Sequence, residues 1–329
     1  PFNMSKEEGY KKKKNFTLKI LKNNLFPYCE TKTQKIYFLG YIENKLIKFT
    51  LGIVKESERD SYINKRIDLV GTLINNFFFN YLNKLIKDMN KQIIREINNG
   101  SWKTPYDTLN IINKTNIYKI IKPSTIENGI KRALSTGDFG VKHINSNKVG
   151  VAQVLNRLTY IAGLSHLRRV NTPIDKSGKL IEPRKFHNSS WGYICPAETP
   201  EGAPVGVVKN LSYMTQVTIK SNSNIIYDLI DTYIIKLDLE NITENYDKVK
   251  IFVNGNWLGY VNKPIWFFKF LKNKKYQGIL NIYTSIIFDY INKEIKIVND
   301  AGRLTRPLLK IRNKKLILTK NIMKDIIDK

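Results

Sequence analysis

The run Leu164-Ser165-His166-Leu167-Arg168-Arg169-Val170-Asn171-Thr172-Pro173 closes an apolar, helix-spaced stretch with two arginines and a proline turn. Further along, Cys195-Pro196-Ala197-Glu198-Thr199-Pro200-Glu201-Gly202 sets two carboxylates among two prolines and a glycine. Cations at a helix C-terminus suit the macrodipole in any protein. Capping therefore accounts for the arginine pair as readily as bidentate phosphate binding by guanidinium forks does. The stiff, turn-rich second run places Glu198 and Glu201 with little conformational entropy left to lose. Taken alone, neither run specifies a function.

Around these runs the pattern reads as mixed. An amphipathic helix is expected over residues 149–167, stopping before Thr172-Pro173, since a residue preceding proline is pushed out of the helical region. Two loops dense in Pro and Gly follow, at 171–184 and 195–206. Upstream, Ser124-Thr125-Ile126-Glu127 after Pro123 has capping-box spacing and predicts a helix ending near Gly137, with a Gly-containing loop over 135–148. A longer amphipathic pattern covers 66–97, where Ile67, Val70, Leu73, Ile74, Phe77, Tyr81, Leu85, Met89 and Ile93 keep helical intervals. At ~1.5 Å per residue that helix would reach roughly 45 Å. Its other face carries Lys84, Lys87, Lys91 and Arg95, a solvated outer surface by the usual reading.

Residues 98–122 look irregular and 55–65 look like a charged linker. Helical spacing over 16–55 puts Phe38, Leu39, Tyr41, Ile42 and Leu46 on one face. The lysine-heavy residues 4–14 read as a poorly ordered segment or surface loop. Downstream of Leu211 the chain turns β-rich. A hairpin is expected over 249–261 about Asn254-Gly255, a short helix over 264–276 and a strand pair over 282–298.

The charge is the most prominent bulk property. Fifty-five Lys+Arg against 28 Asp+Glu leave a formal +27 in 329 residues. A surplus that large favours a polyanionic partner through counterion release, although the richness in Lys, Asn and Ile also fits an AT-biased genome. Length suggests two or three domains, and 42% hydrophobic residues allow a sizeable core. Cys29 and Cys195 stand far apart without CxxC spacing, which argues against a Cys-rich zinc site or a secreted disulfide scaffold. There is no apolar run of ~18 residues, so no membrane partner is expected. His143, His166 and His187 lack metal-ligand spacing and read as local hydrogen-bonding residues. No nucleophile–base signature, Walker loop or Rossmann glycine run occurs.

Read in order, the motifs resemble one family. Gly150-Val151-Ala152-Gln153-Val154-Leu155-Asn156-Arg157, the Leu164–Pro173 run, His187-Asn188-Ser189-Ser190-Trp191-Gly192, the Cys195–Gly202 run and Gly206-Val207-Val208-Lys209-Asn210-Leu211-Ser212 are similar to the fork region of the second-largest subunits of cellular RNA polymerases. The likeness extends outward through Phe38-Leu39-Gly40-Tyr41, Lys65-Arg66-Ile67-Asp68-Leu69-Val70-Gly71, Phe252-Val253-Asn254-Gly255-Asn256-Trp257-Leu258-Gly259 and Asp300-Ala301-Gly302-Arg303. It covers about residues 20–312 and most resembles the polymerase II version. Ala203-Pro204-Val205 and Asp175-Lys176-Ser177-Gly178 depart from the common pattern, leaving room for a divergent lineage.

The resemblance implies an α+β, multidomain fold: residues 1–65 as the end of a lobe, 66–133 as part of a protrusion, 134–215 as a mixed fork region and 216–329 as a β-rich external domain. It implies that 135–148 and 171–184 are the two fork loops. Gln153 and Arg169 would line the path of the RNA–DNA hybrid, and Arg184 and Glu201 would support the nucleotide-addition site. Arg157, Arg168, Lys179 and Glu198 join them as surroundings of the active centre. It further implies partners in the largest and other polymerase subunits, template DNA and the hybrid, and a nuclear location (or a reduced nucleus or viral factory for a divergent lineage). Mg²⁺ would act in the assembled enzyme and a Zn²⁺ module would lie further along the subunit. No catalytic or metal-ligating residue is expected here, and the chain, starting at Pro1, reads as an internal fragment inactive alone. The rival readings are a stand-alone basic nucleic-acid-binding protein and a scaffold subunit with no part at the active centre.

Overall fold

Asn254 and Gly255 hold φ at 49° and 86°, the paired left-handed conformations of a type I′ turn that Asn and Gly adopt at least cost. The expected hairpin forms on that turn, with Val253 opposite Asn256 and Val249 opposite Val261. The structure is a computed structural model that describes residues 6–29, 31–99, 114, 116–139, 150–237 and 247–328. His143, most of the 135–148 loop and most of 98–122 lie outside the described residues. In chain order the helices begin with α1 (Lys6–Asn23), α2 (Lys32–Thr50), α3 (Val70–Asn98), α4 (Ile117–Ile120), α5 (Ser124–Thr136), α6 (Tyr160–Leu167), α7 (Asn224–Ile230) and α8 (Pro264–Tyr276). The strands begin with β1 (Arg169–Asn171), β2 (Val208–Asn210), β3 (Gln216–Val217), β4 (Ile235–Lys236), β5 (Val249–Val253), β6 (Asn256–Val261), β7 (Ser285–Asp289), β8 (Glu294–Val298) and β9 (Leu304–Thr305).

The chain divides into two compact units. The first joins residues 1–59 to 218–301 around a five-stranded sheet ordered β4-β6-β5-β8-β7, antiparallel except where β5 and β8 run parallel. Alternate residues of a strand face opposite sides, and this sheet buries both. Ile251, Val253, Ile295 and Ile297 pack with Ile226, Ile230, Phe267 and Leu271 of α7 and α8. Phe252, Trp257 and Tyr260 face the other way, against Tyr37, Phe38 and Tyr41 of α2. Each such apolar side chain stabilises the unit by about 1.5–3 kcal/mol.

The second unit comprises residues 60–217 and 302–329. In it α3 packs on α5 through Phe77, Ala133 and Phe139, with Leu73, Tyr81, Val151 and Ala152 around them. Gly129 is buried because the Tyr81 ring occupies the space a Cβ would take. Strands β1 and β2 form a short antiparallel ribbon, and β3 pairs with β9.

Several local expectations change. Residues 6–14 belong to α1 rather than a loop: lysine is a good helix former, and Glu7 and Glu8 suit the positive N-terminal end. On α2, Leu39, Ile42 and Leu46 are exposed, and the packed stripe is Tyr37, Phe38 and Tyr41. The long helix starts at Val70, and its inward stripe keeps an i, i+4 step through Leu73, Phe77, Tyr81 and Leu85, leaving Val70 and Ile74 exposed. The capping box at Ser124 does not form. Pro123 is itself the N-cap with helical dihedrals (φ −60°, ψ −27°), so Ser124 already lies inside the helix and makes no side-chain cap. Gly137 does end α5, in the left-handed conformation.

Candidate nucleic-acid interface

The helix expected over 149–167 is only the eight residues of α6. Thr159 caps it, its hydroxyl accepting from Ala162 N at 3.1 Å, and so fixes the start ten residues late. The preceding segment folds back on the helix through one imidazole. Asn156 N donates to His166 Nδ1 at 3.0 Å, and His166 Nε2 lies 2.9 Å from Gln153 Oε1. With Nδ1 accepting a backbone proton, the proton must sit on Nε2 and point at Gln153. Gln153 Nε2 in turn donates to Gly150 O at 2.8 Å. Gln153 is thus at the surface but held.

The two adjacent arginines diverge. Arg168, at the end of α6, turns inward, and its Nη2 donates to Ser212 O and Thr215 O at 2.7 Å each and to Tyr213 O at 3.3 Å. Arg169, opposite Asn210 in the ribbon, is exposed and has no hydrogen-bond or ion-pair partner among the described residues. The Arg168 guanidinium thus serves neither the end of its own helix nor a phosphate: it is spent on carbonyls of the 212–215 loop. Arg169 remains available.

Arg184 ends a short 3-10 turn (Glu182–Arg184) and spends its whole guanidinium on backbone. Nη1 donates to Ala203 O and Val205 O at 2.7 Å each, Nη2 to Lys176 O at 2.8 Å and Gly178 O at 3.0 Å, and Nε to Leu180 O at 3.2 Å. The 171–184 loop and the acidic loop are therefore tied together by one side chain. Gly206 sits at φ 68°, where an added Cβ would overlap the carbonyl of Arg184.

Within the acidic loop the two glutamates separate. Glu198 accepts the Ser165 hydroxyl of α6, and its backbone carbonyl accepts from Asn210 Nδ2 at 3.1 Å. Thr199 Oγ1 donates to Val208 O and accepts from Gly206 N, each at 3.0 Å. Glu201 is exposed and forms no ion pair with Arg184 or with any other described residue. Arg157 and Lys179 are likewise exposed and unpaired among the described residues. Asp175 accepts from the backbone and hydroxyl of Ser177, which hold its carboxyl below the usual range and shape the loop tip.

One residue of the quoted Gly206–Ser212 run has a role that its sequence does not single out. Lys209 on β2 is half-buried, donating to Pro183 O at 3.1 Å and Tyr62 OH at 3.4 Å. Burial, then the nearby Lys65, push its ammonium down, partly offset by Asp60. A lone lysine in an apolar run carries no sequence signal for such a role. Among the described residues no three His, Cys, Asp or Glu side chains come together as a metal cage. No described helix is long and apolar enough to cross a membrane.

What emerges is a braced surface: Arg168, Arg184, Glu198 and Lys209 hold the loops, while Arg157, Arg169, Lys179 and Glu201 face outward. Residues 153–217, which carry all of these, match RNA polymerase Rpb2, domain 3. Residues 7–68 match RNA polymerase Rpb2, domain 2, and residues 251–312 match RNA polymerase Rpb2, domain 4. The chain is 37% identical over 316 residues to DNA-directed RNA polymerase II subunit 2 of Arabidopsis thaliana, covering 92% of this chain and 25% of that protein. It is 40% identical over 294 residues to DNA-directed RNA polymerase II subunit RPB2 of Encephalitozoon cuniculi, covering 89% and 24%. To DNA-directed RNA polymerase subunit 2 of Acanthamoeba polyphaga mimivirus it is 38% identical over 299 residues, covering 87% and 24%. The chain thus spans about a quarter of the length of the curated relatives it matches. With domains 2, 3 and 4 following one another along it, the chain belongs to the RNA polymerase Rpb2 family of second-largest subunits, polymerase II type.

Proposed function

We propose that this chain forms part of the second subunit of a DNA-directed RNA polymerase and that residues 150–217 line the cleft holding the RNA–DNA hybrid beside the active centre. The observation that carries this reading is the division of labour among its arginines. Arg168 and Arg184 are spent on backbone carbonyls, leaving Arg169 free on the outside of the ribbon, with Arg157 and Lys179 also exposed. Exposed guanidinium and ammonium groups on a braced backbone bind phosphates at little ordering cost. Gln153, clamped by His166, presents an amide suited to a base edge or sugar, and Glu201 can receive an arginine of a neighbouring element.

In this reading the chain shapes nucleotidyl transfer without ligating its metals. Mg²⁺ would act in the assembled enzyme, held by other parts of it, and the role of this chain is to hold the hybrid. Residues 1–65, 66–133, 134–215 and 216–329 are assigned as lobe end, protrusion portion, fork and external domain, and the site of action as the nucleus or a viral factory. The test is Arg169→Ala in the assembled enzyme. A charge-assisted contact is worth about 1.5–3 kcal/mol, so elongation or hybrid retention should fall by roughly 10- to 100-fold at low nucleotide concentration. Unchanged elongation and fidelity would remove Arg169 from the hybrid path.

A further inference from the structure

Lysines crowd one end of the α2-facing side of the five-stranded sheet, in the unit that does not carry the interface above. On β8, Glu294 is 1% exposed and accepts the Tyr41 hydroxyl of α2. Lys45 reaches it at 3.1 Å from one turn further along α2, and Lys296 reaches its other oxygen at 3.1 Å. Lys250 is the strand partner of Glu294, and its backbone N–H donates to Lys293 O at 2.9 Å. Lys48 lies one turn beyond Lys45 on α2.

Among the described residues the cations here outnumber the anions. Lys293 is paired with Asp247, Lys296 is shared between Asp289 and Glu294, and Lys45 is spent on Glu294. Neither Lys48 nor Lys250 has a side-chain partner among the described residues, and Lys250 is only partly exposed. Burial, followed by repulsion from Lys48, Lys45 and Lys293, pushes its ammonium down despite Glu294. The one anion facing Lys250, Glu294, is already shared with Tyr41, Lys45 and Lys296, so a further anion would favour the charged form of this partly buried lysine.

We propose that Lys48 and Lys250, flanked by Lys45 and Lys293, form a phosphate-binding site for a nucleic-acid backbone, separate from the interface on residues 150–217. Ammonium groups are point-charge donors that can converge on a tetrahedral phosphate from several sides. The dense, regularly spaced charge of a nucleic-acid backbone, with its condensed counterions to release, suits several adjacent ammonium groups better than a short acidic protein segment does.

The test is residue-resolved lysine reactivity in the intact subunit within its assembled enzyme, using limiting amine reagent and mass spectrometry. Three probes are compared at equal charge concentration: a single-stranded DNA oligomer, tripolyphosphate and polyglutamate. The expected result is at least about threefold protection of Lys48 and Lys250 by the oligomer, fading at high salt. In the double variant Lys48→Gln, Lys250→Met, the remaining protection of Lys45 and Lys293 should disappear with the melting temperature unchanged. Protection by tripolyphosphate alone would place a free polyphosphate there and overturn the nucleic-acid assignment. Equal protection by polyglutamate, or none by any probe, would overturn the phosphate site.

Discussion

Arg184 Nη1 lies 2.7 Å from the carbonyl oxygen of Val205, so a single side chain joins the loop that follows the ribbon to the loop that carries the two glutamates. Five carbonyls depend on that guanidinium. The free groups Lys179 and Glu201 sit on the two loops it ties. Their placement is set by a residue that is itself unavailable to a ligand.

Arg184→Ala is expected to loosen both loops together. Unpaired carbonyls cost about 1–3 kcal/mol locally, so amide exchange should accelerate at residues 176–180 and 203–207 in the same variant. Arg184→Lys should restore little, because one ammonium cannot span the five acceptors. Exchange confined to one loop would contradict the staple.

Gly206→Ala should mimic part of that loss. A side chain at φ 68° facing the Arg184 carbonyl is strained by about 1–3 kcal/mol. Gly202→Ala is the control, since it also has positive φ but meets nothing within 4 Å. Thermal unfolding should rank Gly206→Ala clearly below Gly202→Ala.

His166→Leu keeps the volume and removes both hydrogen bonds of the ring. Asn156 N–H then loses its partner, at about 1–3 kcal/mol, and residues 153–158 should exchange faster while α6 persists. An unchanged exchange rate at Asn156 would show that the imidazole does not hold the segment.

Glu294 predicts a pH dependence for the other unit. Burial alone would raise its carboxyl, but the Tyr41 hydroxyl and the ammoniums of Lys45 and Lys296 outweigh it and hold the group below the usual range. A carboxyl depressed in the folded state contributes stability above its unfolded value, near about 4.3, and that contribution is lost as pH falls through the lower folded value. Tyr41→Phe should cost about 1.5–3 kcal/mol at neutral pH and move acid unfolding to higher pH, read by tryptophan fluorescence. A Tyr41→Phe acid midpoint equal to the parent's would contradict the coupling.

Features governed by a few neighbouring residues were legible in the sequence. The Asn254-Gly255 hairpin, the helix at Pro264–Tyr276 and the strand pair ending at Val298 all appear as read. Features governed by distant partners were not. The ribbon joins Arg169 to Asn210 through three-residue strands, too short for a periodicity to announce. The overlong helix before Leu167 was misread because Thr159 caps it and His166 folds the preceding residues back, neither of which hydrophobic spacing reports. The candidate residues were all picked from motifs, but spacing could not tell a spent guanidinium from a free one. Arg168 and Arg169 are neighbours in sequence and opposites in use.

The central claim is that the braced face carrying Arg169 touches the RNA–DNA hybrid. The most direct measurement is photo-cross-linking from a benzoylphenylalanine placed singly at positions 169 and 179 of the subunit in a stalled elongation complex with labelled RNA and DNA. Cross-links to nucleic acid from both positions are the predicted result. Labelling of partner protein alone from 169 would contradict it.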